Sequence, residues 1–144
     1  MYPIGEKLGP SAQRPTIFGM TTSAERRRRR SHDTLKALHL QLDACRRAGE
    51  LDGMVLSDQD GLLLAATGDP EACDEIAAQL PLIGQRVSEF EGVLLSAENG
   101  WRVRMRRFRV GRSELYLAAI GGAATTSERE LGRGIGGATR ILAA

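Results

Sequence analysis

The chain has 144 residues, of which 42% are hydrophobic and 26% charged, and its formal net charge is +2. This length and apolar content suffice for one domain with its own core, and no run of about 18 apolar residues is present that would cross a membrane. We therefore expect a soluble, cytoplasmic protein.

Residues 1–21 contain three prolines and three glycines and show no hydrophobic periodicity. Such a segment cannot offset the entropy of ordering it, so we expect a disordered N-terminal leader. Thr22–Glu25 fits a capping box, which predicts a first helix that runs to about Ala48. Residues 22–144 are expected to form a single domain.

Two short apolar runs, Met54–Leu56 and Leu62–Ala66, flank the dipeptide Asp60-Gly61. This dipeptide tolerates the positive φ that a tight turn requires, so the pattern predicts a β-hairpin. Asp58 and Asp60 resemble a catalytic carboxylate pair, but local hydrogen bonds within a turn explain them more simply. We interpret both aspartates as turn residues.

A second helix is predicted from Pro70 to about Val87. Asp69 suits the N-cap before a proline at the first helical position, and apolar residues continue at helical spacing. Pro81 lies inside this stretch, where a proline removes one hydrogen bond and clashes with the preceding turn. The sequence therefore predicts a kink or break near Leu80.

Three more strands follow the second helix. Phe90–Ala97 has strand composition, Asn99-Gly100 is a strong two-residue turn signal, and Trp101–Val110 alternates as a returning strand. A further strand is predicted over Glu114–Ile120. These tight links favour a mainly antiparallel sheet.

The segment Ser127–Glu130 predicts a capping box at the start of a last helix. One face of this helix carries the apolar residues Leu131, Ile135, Ala138 and Leu142. The complete order is α-β-β-α-β-β-β-α, with helices covering a five-stranded sheet. The predicted fold class is an α+β sandwich.

The order of elements and the segment Leu51–Ala65, LDGMVLSDQDGLLLA, resemble the Roadblock/dynein light chain family, in particular its bacterial small-GTPase regulators. The resemblance covers roughly Ser31–Leu142. It implies a profilin-like Roadblock sandwich that dimerises by edge-to-edge pairing of the middle strand, Phe90–Ala97, with helix two across the outer face. Family members bind small Ras-like GTPases as scaffolds or as regulators of nucleotide state, or they attach to motor and signalling complexes. Pro81 and the arginine-rich leader depart from the family pattern.

Val93, Leu94 and Leu95 form an apolar run in the strand that is expected at the edge of the sheet. Unpaired backbone at an apolar edge favours pairing with another chain. We therefore predict that these residues form the dimer edge strand, with a second copy or a paralogue as the partner.

Charge is segregated along the chain: Glu50–Gly100 contains eleven acidic residues and one basic residue, whereas Trp101–Arg112 contains six arginines and no acid. Arg102, Arg104 and Arg106 share one face of their predicted strand because side chains alternate. The row and helix two together are the candidate partner-docking surface. Acidic residues near the row are Glu71, Asp74 and Glu75 in helix two and Glu91 and Glu98 in the neighbouring strand. Three interpretations stay open for the row: a charge lattice, a docking face for an acidic partner, or a nucleic-acid contact.

The sequence offers no catalytic, cofactor or metal motif. It contains neither a GxxxxGK[ST] phosphate loop nor a GxSxG elbow, and both histidines, His32 and His39, lie in helix one, where we interpret them as solvated. Cys45 and Cys73 are expected to be buried small hydrophobic residues rather than a disulfide or a metal site. We predict no cofactor and no enzymatic activity.

The run Arg26–Arg30 points around the whole circumference of a helix, as either a solvated helix start or a contact for an anionic partner. The preferred hypothesis is a non-enzymatic dimeric regulator or scaffold that binds a small Ras-like GTPase and modulates its nucleotide state or localisation. One alternative is a nucleic-acid or anionic-surface binding module, which the few aromatic residues and the acidity of Glu50–Gly100 oppose. The other is a structural dimerisation subunit of a larger complex.

Overall fold

The computed structural model describes the backbone of residues 23–96 and 98–144, and the side chains from residue 31 onward within these ranges. The described helices are α1 (Ser23–Gly49), α2 (Pro70–Gly84) and α3 (Ala124–Ala143). The described strands are β1 (Gly53–Asp58), β2 (Leu63–Gly68), β3 (Glu89–Leu95), β4 (Gly100–Val110) and β5 (Ser113–Ile120). The predicted leader and Thr22 of the first capping box lie outside the described residues.

The chain divides into two units, Met1–Asp33 and Thr34–Ala144. Over its described residues, 23–33, the first unit is helical and forms the beginning of α1. The second unit contains the remainder of α1, the sheet, α2 and α3.

The strands form one antiparallel sheet in the order β2-β1-β5-β4-β3. Three hairpins link neighbouring strands, and β1 pairs with β5 in the centre of the sheet. β2 and β3 are therefore the edge strands. The predicted element order and the α+β fold class are both confirmed.

The turn between β1 and β2 is stabilised by residues within the turn itself. Gly61 adopts a φ of +88°, and Oδ1 of Asp58 accepts the backbone N–H groups of Asp60 and Leu62 at 2.9 Å each. The carboxylate therefore stabilises the turn, and the interpretation of Asp58 as a turn residue is confirmed.

Side chains of the sheet alternate between two cores, one on each face. Leu56 and Leu117 belong to the core that α1 and α3 cover, while Val55 and Tyr116 belong to the core beneath α2. Successive side chains of β4 therefore point to opposite faces of the sheet. A β4 side chain on one face meets α3, and a side chain on the other face meets α2.

α2 ends at Gly84 rather than near Val87. Oδ1 of Asp69 caps its start by accepting the N–H of Glu71 at 3.0 Å, as the sequence predicted. The helix continues through Pro81, so, of the predicted kink or break near Leu80, the break is wrong. Pro81 lies in the last turn, where it removes only one helical hydrogen bond, and the buried side chains before it hold the helix on the sheet.

The link between β3 and β4 is longer than predicted. Gly100 pairs opposite Leu95, and the N–H of Ser96 bonds to the carbonyl of Asn99 at 2.8 Å. β3 ends at Leu95, and Asn99-Gly100 is not the two-residue turn that its composition suggested. Ala97, the predicted end of this strand, lies outside the described residues. The hydroxyl of Ser96 also accepts the N–H of Asn99, which stabilises the longer loop.

α3 begins at Ala124, so the predicted capping box at Ser127–Glu130 is wrong. Ser127 donates to the carbonyl of Ala124 at 3.0 Å, and Glu130 is buried, with its oxygens 2.8 Å from Arg129 and 2.6 Å from Arg133. The two residues thus serve packing rather than capping. The predicted apolar face is confirmed by the buried residues Leu131 and Ala138 and the partly buried residues Ile135 and Leu142.

Candidate partner-binding surfaces

β4 carries the arginine row on the face of the sheet that α3 covers. Arg104 and Arg106 pair opposite Ala119 and Leu117, which face α1 and α3, whereas Met105 lies in the core beneath α2. The predicted common face of the row is confirmed by this register.

Arg104 is held by three side chains. Its Nη2 donates to Glu91 at 2.8 Å, its Nη1 to Glu128 at 3.0 Å, and its Nε to the hydroxyl of Ser127 at 3.2 Å. Arg106 donates to the second carboxylate oxygen of Glu128 at 2.8 Å. One carboxylate of α3 therefore bridges two arginines of β4.

The two arginines lower the pKa of Glu128, chiefly through the hydrogen bond and charge of Arg106 and additionally through Arg104. A cavity of about 250 Å³ beside them is also lined by Glu89 and Glu91. Because both signs of charge line this cavity, it does not select an anion. The charge-lattice interpretation describes Arg104 and Arg106 best.

Arg102 differs from the other two arginines of the row. It is exposed, pairs opposite Val93 in β3, and forms no ion pair with any acid among the described side chains. Arg102 is therefore the member of the row that is available to a partner.

The acidic side chains of α2 lie on the opposite face of the sheet from the arginine row. Glu75 accepts a 2.6 Å hydrogen bond from the indole N–H of Trp101, and Glu71 accepts one of 3.3 Å from the side-chain amide of Asn99. Asp74 is exposed. The residues proposed as one docking surface are therefore two surfaces, because Trp101 and Arg102 point to opposite faces of β4.

β3 is an open edge of the sheet: within the residues that the structure describes, it pairs with β4 alone. The side chains of Val93 and Leu95 are 59% and 74% exposed, and Leu94 is half-buried under the α2 face. The predicted edge position of this apolar run is confirmed.

Two further apolar side chains, one in α2 and one between α2 and β3, are exposed, which was not predicted from the sequence. Leu82 is 65% exposed and lies two helical turns after Glu75 on the same side of α2. Val87, two residues before β3, is 40% exposed. The sequence predicts that helix two runs to about Val87, but α2 ends at Gly84. The spacing of seven residues from Glu75 to Leu82 was the available signal.

Cys45 and Cys73 are buried free thiols, as predicted, and desolvation by burial raises the pKa of each. His32 and His39 are exposed on α1, as expected for solvated residues. Over the described residues, no group of three or more metal-ligating side chains occurs, and no helix is both long and apolar enough to cross a membrane.

Comparison with solved structures identifies similar folds. A structure described as MglB with tetrameric arrangement is 17% identical, with a TM-score of 0.50 over 75% of this chain and 89% of that chain. MglB of Myxococcus xanthus is 12% identical, with a TM-score of 0.48 over 87% of this chain and 94% of that chain. The gliding protein MglB of Thermus thermophilus is 15% identical, with a TM-score of 0.41 over 78% of this chain and 88% of that chain.

At the level of sequence, no family model and no curated protein matches the chain. The structural likeness concerns the fold alone, and this fold is of the roadblock type, as the resemblance implied.

Proposed function

We propose that the protein is a non-enzymatic, cytoplasmic, dimeric regulator or scaffold of a small Ras-like GTPase. The roadblock-type fold with an open, apolar β3 edge is the observation that carries this proposal. Residues 22–144 would form the regulating domain. A second copy or a paralogue would pair with β3.

The acidic outer side of α2 is the surface that we assign to the GTPase. Asp74 and Glu71 are exposed on it, and Glu75 is fixed in place by Trp101. A GTPase that presents basic side chains would be attracted to this surface at long range. Arg104 and Arg106 support such a role less well, because their charges are already neutralised by Glu91 and Glu128.

No catalytic group is needed for such a regulator to act on nucleotide turnover. Binding would order the switch segments of the GTPase so that the catalytic groups of the GTPase itself are positioned. The dimer would present the acidic side of α2 twice, which raises the effective concentration of the second contact.

The binding test uses small Ras-like GTPases encoded in the same genome, loaded either with GDP or with a non-hydrolysable GTP analogue. We expect one of them to bind and to change its nucleotide turnover when the protein is added. Asp74→Lys should weaken binding at least about tenfold, whereas Asp60→Lys, an equal charge change in the β1–β2 turn, should have little effect. Equal loss in both variants would contradict the assigned surface, and no binding by any GTPase would contradict the function.

The dimer is tested separately by sedimentation at micromolar concentration. Val93→Lys places a charge on the exposed edge and should shift the protein toward the monomer without unfolding it, because Val93 is not part of the core. A wild-type protein that remains monomeric at this concentration would contradict the dimer.

A further inference from the structure

We propose that two copies pair through β3 in one specific register, with a two-fold axis at Gly92 and all seven residues of Glu89–Leu95 opposed to their counterparts. This inference rests on the dimer of the proposed function and adds the residues that meet across it. It follows from the hydrogen bonding, the side-chain alternation and the charges of β3.

The free backbone groups of β3 belong to alternate residues. The N–H of Arg107 bonds to the carbonyl of Ser88, and the N–H of Ser96 to the carbonyl of Asn99, both at 2.8 Å. Antiparallel pairs alternate along a strand, so the even-numbered residues between them bond to β4. The backbone groups that point outward are those of Glu89, Glu91, Val93 and Leu95.

The side chains of these same residues share the face of the sheet that carries the arginine row. A second β3 that continues the sheet must place its own odd-numbered side chains on this face. A symmetric antiparallel pair meets this condition only when the axis passes through a residue, because an axis between two residues would oppose odd to even positions. An axis at any residue from Phe90 to Leu94 meets this condition and opposes at least two pairs of outward-facing residues.

The number of backbone bonds favours Gly92, which is the central residue of the strand. An axis there opposes four pairs of outward-facing residues, with two hydrogen bonds in each pair. An axis at Glu91 or at Val93 opposes only three such pairs within the strand, and an axis at Phe90 or at Leu94 opposes two. The Gly92 register thus leaves none of the outward groups of β3 unpaired.

The side chains favour the same register. An axis at Glu91 places this carboxylate directly opposite its own copy, where like charges repel. An axis at Gly92 instead opposes Glu91 to Val93 and Glu89 to Leu95, and on the α2 face it opposes Phe90 to Leu94. Phe90 and Leu94 would then face each other in a pair without backbone hydrogen bonds between the two residues, and in such pairs the side chains approach most closely.

The packing around Gly92 also suits a residue on the two-fold axis. A Cβ at Gly92 would lie 3.1 Å from Cζ of Phe90, so the phenyl ring already covers the glycine. The two glycines would face each other in a pair whose Cα atoms are about 4.5 Å apart. The ring thus fills the space that a side chain at the axis would need.

Cysteine cross-linking tests the register. Chains carrying Glu91→Cys and Val93→Cys are co-expressed with different affinity tags, and disulfides are formed under mild oxidation. We expect the mixed pair to cross-link at least about tenfold more than either variant with itself, because opposed Cα atoms lie about 5.5 Å apart and diagonal ones exceed about 7 Å, beyond disulfide reach. Cys45 and Cys73 are buried and present in every sample, so they cancel in the comparison.

The other outcomes separate the two proposals. Val93→Cys that cross-links mainly with itself would move the axis to Val93, and Glu91→Cys that does so would move it to Glu91; either result overturns the inference. A protein that sediments as a dimer but forms none of these disulfides overturns the β3 register and leaves the GTPase role intact. A protein that sediments only as a monomer overturns the dimer itself.

Discussion

The indole nitrogen of Trp101 donates a 2.6 Å hydrogen bond to a carboxylate oxygen of Glu75, which ties α2 to the start of β4. This bond is the largest cause of a lowered pKa at Glu75. It fixes the acidic side of α2 relative to the β3 edge, so the two surfaces assigned above keep a defined spacing.

The Trp101–Glu75 bond predicts a dependence on pH. Because the pKa of Glu75 is lowered on folding, its stabilising effect is complete above its ordinary value of 4.5 and is lost as the pH falls through the lower folded value. Trp101 is the one tryptophan of the chain, so its fluorescence reports the bond directly. We expect a fluorescence transition below pH 4.5 that is absent in Glu75→Gln; an identical transition in both proteins would contradict the assignment.

The packing around Gly84 predicts that an added methyl group at this position destabilises the protein. A Cβ there would lie 2.5 to 2.7 Å from three ring atoms of the buried Tyr116. Gly84→Ala should therefore lower the free energy of unfolding by about 1–3 kcal/mol, measured by urea denaturation.

The matched control for this substitution is Gly132→Ala in α3. Gly132 is exposed, and a Cβ there meets no atom within 4 Å. Alanine should raise the free energy of unfolding by about 0.5–1 kcal/mol, because it removes the helix cost of glycine. Equal effects at both positions would show that α2 does not press on Tyr116.

Truncation of Arg104 and of Arg102 to alanine should change the free energy of unfolding by different amounts. Arg104→Ala removes hydrogen bonds to Glu91, Glu128 and Ser127 and should lower the free energy of unfolding by about 1–2 kcal/mol at low salt. Arg102→Ala should change it by less than about 0.5 kcal/mol. Thermal or urea unfolding at two salt concentrations checks both, and a larger loss at Arg102 would contradict the charge lattice.

A hydrogen bond from Thr67 links β2 to α1. The hydroxyl of Thr67 donates this bond to Asp43, which also accepts from Arg46 at 2.9 Å. The Thr67 bond is the main cause of a lowered pKa at Asp43. Thr67→Val should cost about 1 kcal/mol in urea unfolding. Thr125→Val, at an exposed position of α3, should be nearly neutral, and a similar loss in both variants would speak against the link.

Most of the fold was predictable because its signals are local and periodic. The Asp60-Gly61 turn, the Asp69 cap and the alternation of β4 each determine their own geometry within a few residues. The errors occurred where tertiary packing overrides a local motif. Glu130 is buried between two arginines although its spacing from Ser127 suggested a cap, and the Ser96–Asn99 hydrogen bonds select a longer loop than Asn99-Gly100 favours.

The candidate site was predictable only in part. The common face of the arginine row and the edge position of Val93–Leu95 both follow from alternation and element order. Alternation alone does not say which helix covers which face, so the sequence could not separate the acidic side of α2 from Arg104 and Arg106. The contact between Glu128 and these arginines spans residues distant in sequence, which no local pattern encodes.

The sidedness of the sheet has a consequence for stoichiometry. Pairing through β3 within the plane of the sheet would leave both copies of α2 on one side and both arginine rows on the other. A ligand protein that approaches the acidic side would then find two equivalent sites related by the axis. Either two such ligands bind, or a single one straddles the axis and occupies both halves at once.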